Sequence, residues 1–169
     1  LESENIYKKV SRIKNCKVLI IRPGAVYGFS KHKNKNSRPD LIQHSFPNSL
    51  IKNNKIILKS SGKQFRNFSY NEDIGKIVSN WLIQNKKQKL LITNVKGLII
   101  TVLSFAQRCC AIYKQLTKKK TRIIVLNKQK QKFKKFKITQ KIEFKSNSSS
   151  NLKKFIIKFI KLSLKKKYK

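Results

Sequence analysis

Residues 16–31 read CKVLIIRPGAVYGFSK. The run from Val18 to Ile21 is apolar at consecutive positions, contains β-branched residues and is closed by Pro23-Gly24. That pattern suits a strand buried on both faces, as parallel strands between covering helices are. Inside the stretch, Tyr27 and Lys31 make a Y-x-x-x-K pair, a spacing that brings two side chains to one face of a helix. Here the pair follows a strand and a Pro-Gly turn and runs into HKNKNSRPD, which has no apolar period to hold a helix. It therefore reads as a loop tyrosine and a solvated lysine, not as an acid/base pair.

Working outward, Ile6, Val10 and Ile13 recur at helical spacing and predict the tail of an amphipathic helix before the strand. Phe29 to Ser37 is polar and reads as a loop. PDLIQHSFPNSLIKNN predicts a helix with Pro39 in its first turn and a break or kink at Pro47. KIILKSSG is a short strand, and RNFSYNED is extended and leads into a helix with Ile74, Ile77, Val78, Trp81 and Leu82 on one face. Asn71 is a candidate cap there, and Glu72 and Asp73 fall in the first turn, where negative charge is favoured. KLLITNV is a strand, Thr101 caps a third helix with Val102, Phe105, Ala106, Cys109 and Tyr113 inward, and TRIIVL is a further strand. Strands alternating with helices make an α/β chain. From Asn127 the sequence is Lys-rich and ends in a basic amphipathic helix, which divides the chain into residues 1–126 and a tail of 127–169.

With 169 residues and 39% hydrophobic content the chain is long enough to bury a core. Its formal net charge of +36 points first to nucleic acid, since a polycation gains affinity by releasing counterions from phosphates. The charge is mostly lysine, however, mixed with Ile and Asn as compositional drift in an AT-rich genome would mix them. It is spread along the chain and does not alternate with aromatics. Nucleic acid is therefore disfavoured as the main partner. No signal-like or membrane-spanning apolar run occurs. Three cysteines without metal-ligand spacing suit a reduced, cytoplasmic setting, with Cys109 and Cys110 as core filler. There is no methionine, so Leu1 is not an ordinary translation start and a fragment or processed product is expected.

Three motif groups, in this order, resemble the NAD-dependent epimerase/dehydratase family, the extended short-chain dehydrogenases that act on nucleotide sugars. They are Arg22-Pro23 with Val26-Tyr27-Gly28; Gly62, Gln64, Arg66, Phe68, Tyr70 and Asp73-Ile74; and Asn94, Gly97, Thr101-Val102 and Ala106. The resemblance covers residues 1–126 and implies the C-terminal part of a Rossmann-like NAD(P)-binding fold with the small substrate-binding subdomain, lacking the N-terminal βαβ units. It also implies that the catalytic Tyr-x-x-x-Lys helix runs into LESENIYKKVSRIKN from upstream, so no catalytic residue is expected within the chain. No G-x-x-G-x-x-G occurs, and the five glycines are scattered, so the turn that seats a dinucleotide pyrophosphate at a helix N-terminus is missing.

By the resemblance, Pro23 and Gly24 form the turn that passes the nicotinamide of NAD or NADP. Arg66 matches the arginine that grips the substrate's diphosphate; the alternative is a surface arginine paired with Asp73 or Glu72. Arg22 is expected to serve the strand end, Asp73 the helix start and Gly62 a turn, while His32 and His44 read as surface histidines. Ala25, Phe29, Asn67 and Asn71 depart from the common Asn, Pro, Asp and Val of the family. The resemblance makes a nucleotide sugar the partner and leaves room for a homodimer. Two other readings stay open: a basic RNA- or ribosome-associated protein, and a membrane-surface protein. In the last, Phe155, Ile156, Phe159 and Ile160 of the final helix enter a bilayer instead of covering the domain.

Overall fold

The computed structural model describes residues 2–13, 16–29, 38–84, 89–127 and 133–167. Lys31 and His32 lie outside them. The elements in order are α1 (Glu2–Val10), β1 (Val18–Arg22), β2 (Ala25–Tyr27), α2 (Ile42–Asn53), β3 (Lys55–Leu58) and β4 (Phe65–Tyr70). There follow α3 (Asn71–Gln84), β5 (Leu90–Asn94), β6 (Leu98–Thr101), α4 (Val102–Thr117), β7 (Arg122–Val125) and α5 (Ser148–Lys167). The α/β class expected from the alternation is observed.

The strands of the described residues pair in three small sheets. β1 and β5 run parallel with Val18 opposite Leu90 and Arg22 opposite Asn94. β4 is central in the second sheet, parallel to β2 and antiparallel to β6. β3 and β7 are parallel, Lys55 opposite Arg122. Each parallel pair joins strands with helices between them in the chain, the crossover that parallel pairing demands.

The main core lies between β2, β4 and the helices α2, α4 and α5, around Leu50, Phe68, Phe105, Tyr113 and Ile156. Thr101 caps α4 as expected, its Oγ1 accepting from Ser104 N at 3.0 Å, and the five inward residues of that helix are buried. Cys109 and Cys110 are among the core residues, and burial pushes both thiols above their ordinary value. A smaller cluster of Ile77, Leu91, Val95 and Ile142 fills the space between α3, β5 and the segment before α5.

Several local expectations change. Pro47 does not break α2, which runs from Ile42 past it to Asn53. Phe46 and Leu50, buried on either side of it, hold the helix against the core despite the lost backbone bond. Of the apolar face of α3 only Ile77 is fully buried, while Leu82 is 67% exposed, because α3 packs on β1 and β4 from one side only. α1 buries no residue, and Ile6 and Ile13 are each 60% exposed. Tyr27 is not a loop tyrosine. It lies on β2, 1% exposed, stacked on Tyr70 with ring centroids 5.3 Å apart, and its hydroxyl donates to the Ser148 carbonyl at 3.3 Å.

The lysine-rich tail docks on the rest of the chain. Leu152, Phe155, Ile156 and Ile160 of α5 are buried in the main core, so the apolar face that could enter a bilayer is covered by the domain. Among the described residues no helix is long and apolar enough to cross a membrane.

Burial raises the Tyr27 phenol, with help from the charge of Asp73; burial and the bond to Glu72 push Tyr70 up to about 12. A raised phenol favours the neutral form in the native state. The stability it contributes is complete below the unfolded value near 10 and is lost as pH rises through about 12. Ultraviolet titration of the five tyrosines should therefore show a late-titrating group that shrinks in Tyr70→Phe. Unchanged curves would contradict the assignment.

Candidate active site cleft

β1 ends at Arg22, and the chain turns through Pro23-Gly24 into β2. Arg22 is held at this end by α1: Nε donates to Glu4 Oε1 at 2.9 Å and Nη2 to Oε2 at 2.5 Å. The pair holds the Glu4 carboxyl below its usual value. This is the strand-end place that the sequence suggests for Arg22.

Gly24 meets β4 closely. A Cβ there would stand 2.2 Å from the Asn67 carbonyl oxygen, so only glycine fits. Its N–H donates to Ser69 Oγ at 3.2 Å. Asn67, buried beneath, donates from Nδ2 to the Val95 carbonyl at 2.7 Å, while its Oδ1 accepts from Gly97 N at 2.8 Å. One carboxamide thus ties β4 to the turn after β5. An aspartate has no N–H to give Val95, which accounts physically for asparagine at this position.

Around this knot opens a cleft of about 810 Å³ that includes Pro23, Gly24, Ala25, Gln43, Asn94 and Arg66. Arg66 alternates outward from β4 next to buried Asn67 and is exposed on the cleft wall. Neither proposed acidic partner takes it. Glu72 accepts from the Tyr70 hydroxyl at 2.7 Å, and Asp73 accepts from Ser146 Oγ at 2.5 Å with Lys76 Nζ 3.7 Å away. The structure therefore brings Pro23, Gly24 and Arg66 to one cleft, leaving the guanidinium of Arg66 without an acidic partner among the described residues.

A side cavity of about 360 Å³ continues past Arg66 to Ser60 and Gln64. Gln64 Nε2 donates to Ser60 Oγ at 2.8 Å, but its buried Oε1 has no partner among the described residues. That leaves an acceptor free for a donor on a bound molecule.

Three lining residues escape the sequence reading. Gln43, 2% exposed, donates from Nε2 to the Val26 carbonyl at 2.8 Å and fixes β2 against α2. Phe136 and Ile138 reach the cleft from the lysine-rich segment beyond residue 126. Asn94 Nδ2 holds that segment by donating to the Thr139 carbonyl at 3.2 Å, and Lys141 N donates to Thr93 Oγ1 at 3.0 Å. The signal for Phe136 and Ile138 was their place, with Phe133, as apolar residues interrupting the lysines; Gln43 had none.

The other singled-out residues have packing roles. Gly62 is a turn glycine with φ of 69°. Asp73, in the first turn of α3, also anchors the tail through Ser146. Asn71 opens α3, accepting from Glu72 N at 2.9 Å and donating to the Phe29 carbonyl at 3.2 Å. Phe29 lies against Phe155, with the Lys158 ammonium 4.8 Å from its ring centre. His44 is half-buried, stacked on Phe159 at 5.7 Å.

No family model matches the sequence, and a search among curated proteins finds no match. Solved structures do match. A UDP-N-acetylglucosamine 4-epimerase from Methanobrevibacter ruminantium M1, in complex with UDP-N-acetylmuramic acid, is similar with a TM-score of 0.70 at 15% identity, over 96% of this chain and 51% of that one. A dTDP-glucose 4,6-dehydratase from Bacillus anthracis str. Ames in complex with NAD gives 0.67 at 12% identity, over 94% and 49%. A UDP-glucuronic acid 4-epimerase from Bacillus cereus, with UDP-glucuronic acid and NAD, gives 0.64 at 18% identity, over 94% and 50%. The chain spans about half the length of each. It thus has the α/β fold of these sugar-nucleotide epimerases and dehydratases, over about half of their extent.

Proposed function

We propose that the cleft binds a nucleotide sugar and that the chain supplies the substrate side of an NAD(P)-dependent epimerase, dehydratase or reductase. The observation that carries this reading is Arg66, exposed on the cleft wall without an acidic partner among the described residues. Its planar fork suits the oxygens of a diphosphate. The apolar side chains of Ala25, Phe65, Phe136 and Ile138 give the remainder of the ligand a surface.

The residues present do not fit a whole dinucleotide. Pro23 and Gly24 line the cleft and can offer one wall to a nicotinamide, no more than a fraction of the whole cofactor. The sequence also has no glycine-rich turn for a pyrophosphate. We assign no step of hydride transfer to this chain and expect it to be inactive by itself. A dinucleotide-binding βαβ half joined to it would cover the exposed Ile6 of α1 and Ile13 just after it.

Calorimetric titration with UDP-glucose tests the cleft. Arg66→Ala is expected to weaken binding roughly tenfold to a hundredfold, as loss of a charge-assisted contact does. Lys161→Ala, outside the cleft, should leave affinity unchanged. Wild-type affinity in Arg66→Ala would overturn the assignment.

A further inference from the structure

A second cavity, sharing no lining residue with the cleft, lies between α4 and the first turns of α5 and measures about 410 Å³. That size falls within the range of small-molecule sites. Its floor is apolar and built from the buried side chains of Ile112, Leu152 and Ile156. Its rim carries Arg108 and Lys153, both exposed, and none of the chain's six carboxylate residues lines it.

We propose that this cavity binds an anionic amphiphile, a carboxylate on a short apolar tail. Two cations stand over a hydrophobic floor with no counter-charge in the lining. A bare inorganic anion would leave the floor wet, and a neutral apolar molecule would gain nothing from the two cations. A ligand joining charge to chain meets both, with the stems of Arg108 and Lys153 lying along its tail. Arg108 Nη1 reaches Ser149 Oγ at 3.3 Å, a long bond that a carboxylate can replace. Two amides of the first turn of α5 are already taken: Ser150 N donates to Asn147 Oδ1 at 3.1 Å and Asn151 N to the Asn147 carbonyl at 2.9 Å. The charge of the anion is met by the side-chain cations Arg108 and Lys153.

Titration of the full chain with octanoate, followed by NMR, tests the site. Binding should saturate, perturb Ile112 and Ile156, and be at least about tenfold tighter than for acetate, which has the charge without the tail. Octylammonium, with the tail and the wrong charge, should not bind. The double variant Arg108→Glu/Lys153→Glu is expected to weaken octanoate about tenfold or more. Ala111→Trp, which fills the cavity and leaves the charge alone, should do the same if the double variant fails to fold. Acetate binding as well as octanoate would reveal diffuse attraction to a polycation and overturn the proposal. So would octylammonium binding, non-saturable binding, or an affinity unchanged in Ala111→Trp.

Discussion

Truncation after Phe144 is expected to abolish cooperative folding. The residues lost include α5, whose Leu152, Phe155, Ile156 and Ile160 are buried in the main core. Burying such side chains is worth about 1.5–3 kcal/mol each, together roughly 6–12 kcal/mol. The whole stability of a domain is on the order of 5–15 kcal/mol, so little would remain. The cut also uncovers Tyr27, which packs on Phe155 at 5.3 Å, and removes Ser146 from the buried Asp73 carboxylate. Urea unfolding followed by circular dichroism is the measurement. A truncated chain that kept a cooperative transition near the full-length midpoint would mean that residues 1–144 fold by themselves and α5 is accessory. We propose instead that the boundary near residue 126 is one of composition only.

The second large effect is expected at Gly97. An alanine Cβ there would stand 2.0 Å from the Phe68 carbonyl oxygen and 2.9 Å from Asn67 Oδ1. The first is backbone of β4, the central strand of its sheet, and cannot move without straining the pairing with β2 or β6. Forced overpacking of this kind costs typically 1–3 kcal/mol and more where backbone must shift. At roughly 2–4 °C per kcal/mol for a chain of this size, Gly97→Ala should lower Tm by about 10 °C. Because Gly97 N donates to Asn67, the shift also disturbs the cleft knot and should weaken UDP-glucose binding. Gly75→Ala is the control. A Cβ there meets nothing within 4 Å, and alanine in an exposed helix interior gains roughly 0.5–1 kcal/mol over glycine. Equal melting points for the two variants would contradict this account of Gly97.

The elements legible in the sequence were those whose signal is local. Thr101 followed by the period of Val102, Phe105, Ala106, Cys109 and Tyr113 predicts α4 and its buried face, because capping and a 3.6-residue repeat act within one segment. The apolar runs of β1, β3, β5 and β7 are equally plain. β2 and β6 were not read as strands: β2 is three residues long and follows directly on the Pro-Gly turn, and the apolar residues of β6 run without a break into the apolar period of α4. Tyr27 was misread because nothing near it in the chain announces Tyr70 and Phe155. The face of α3 was read as wider than the core it meets, because periodicity records which side chains could be buried and not whether a surface exists to bury them.

By itself the sequence determined the α/β class, most helices and strands, and the Arg-Pro, Gly-x-Gln-x-Arg and Asn-x-x-Gly groups that carry the family resemblance. Local propensity and short spacing suffice for these. Only the tertiary structure decided that Pro23, Gly24 and Arg66 share a cleft, that Phe136 and Ile138 of the tail wall it, and that α5 turns its apolar face inward. Those facts depend on contacts between residues far apart in the chain. Asn67 shows the reason in one side chain: its hydrogen bonds reach Val95 and Gly97, beyond any pattern local to β4.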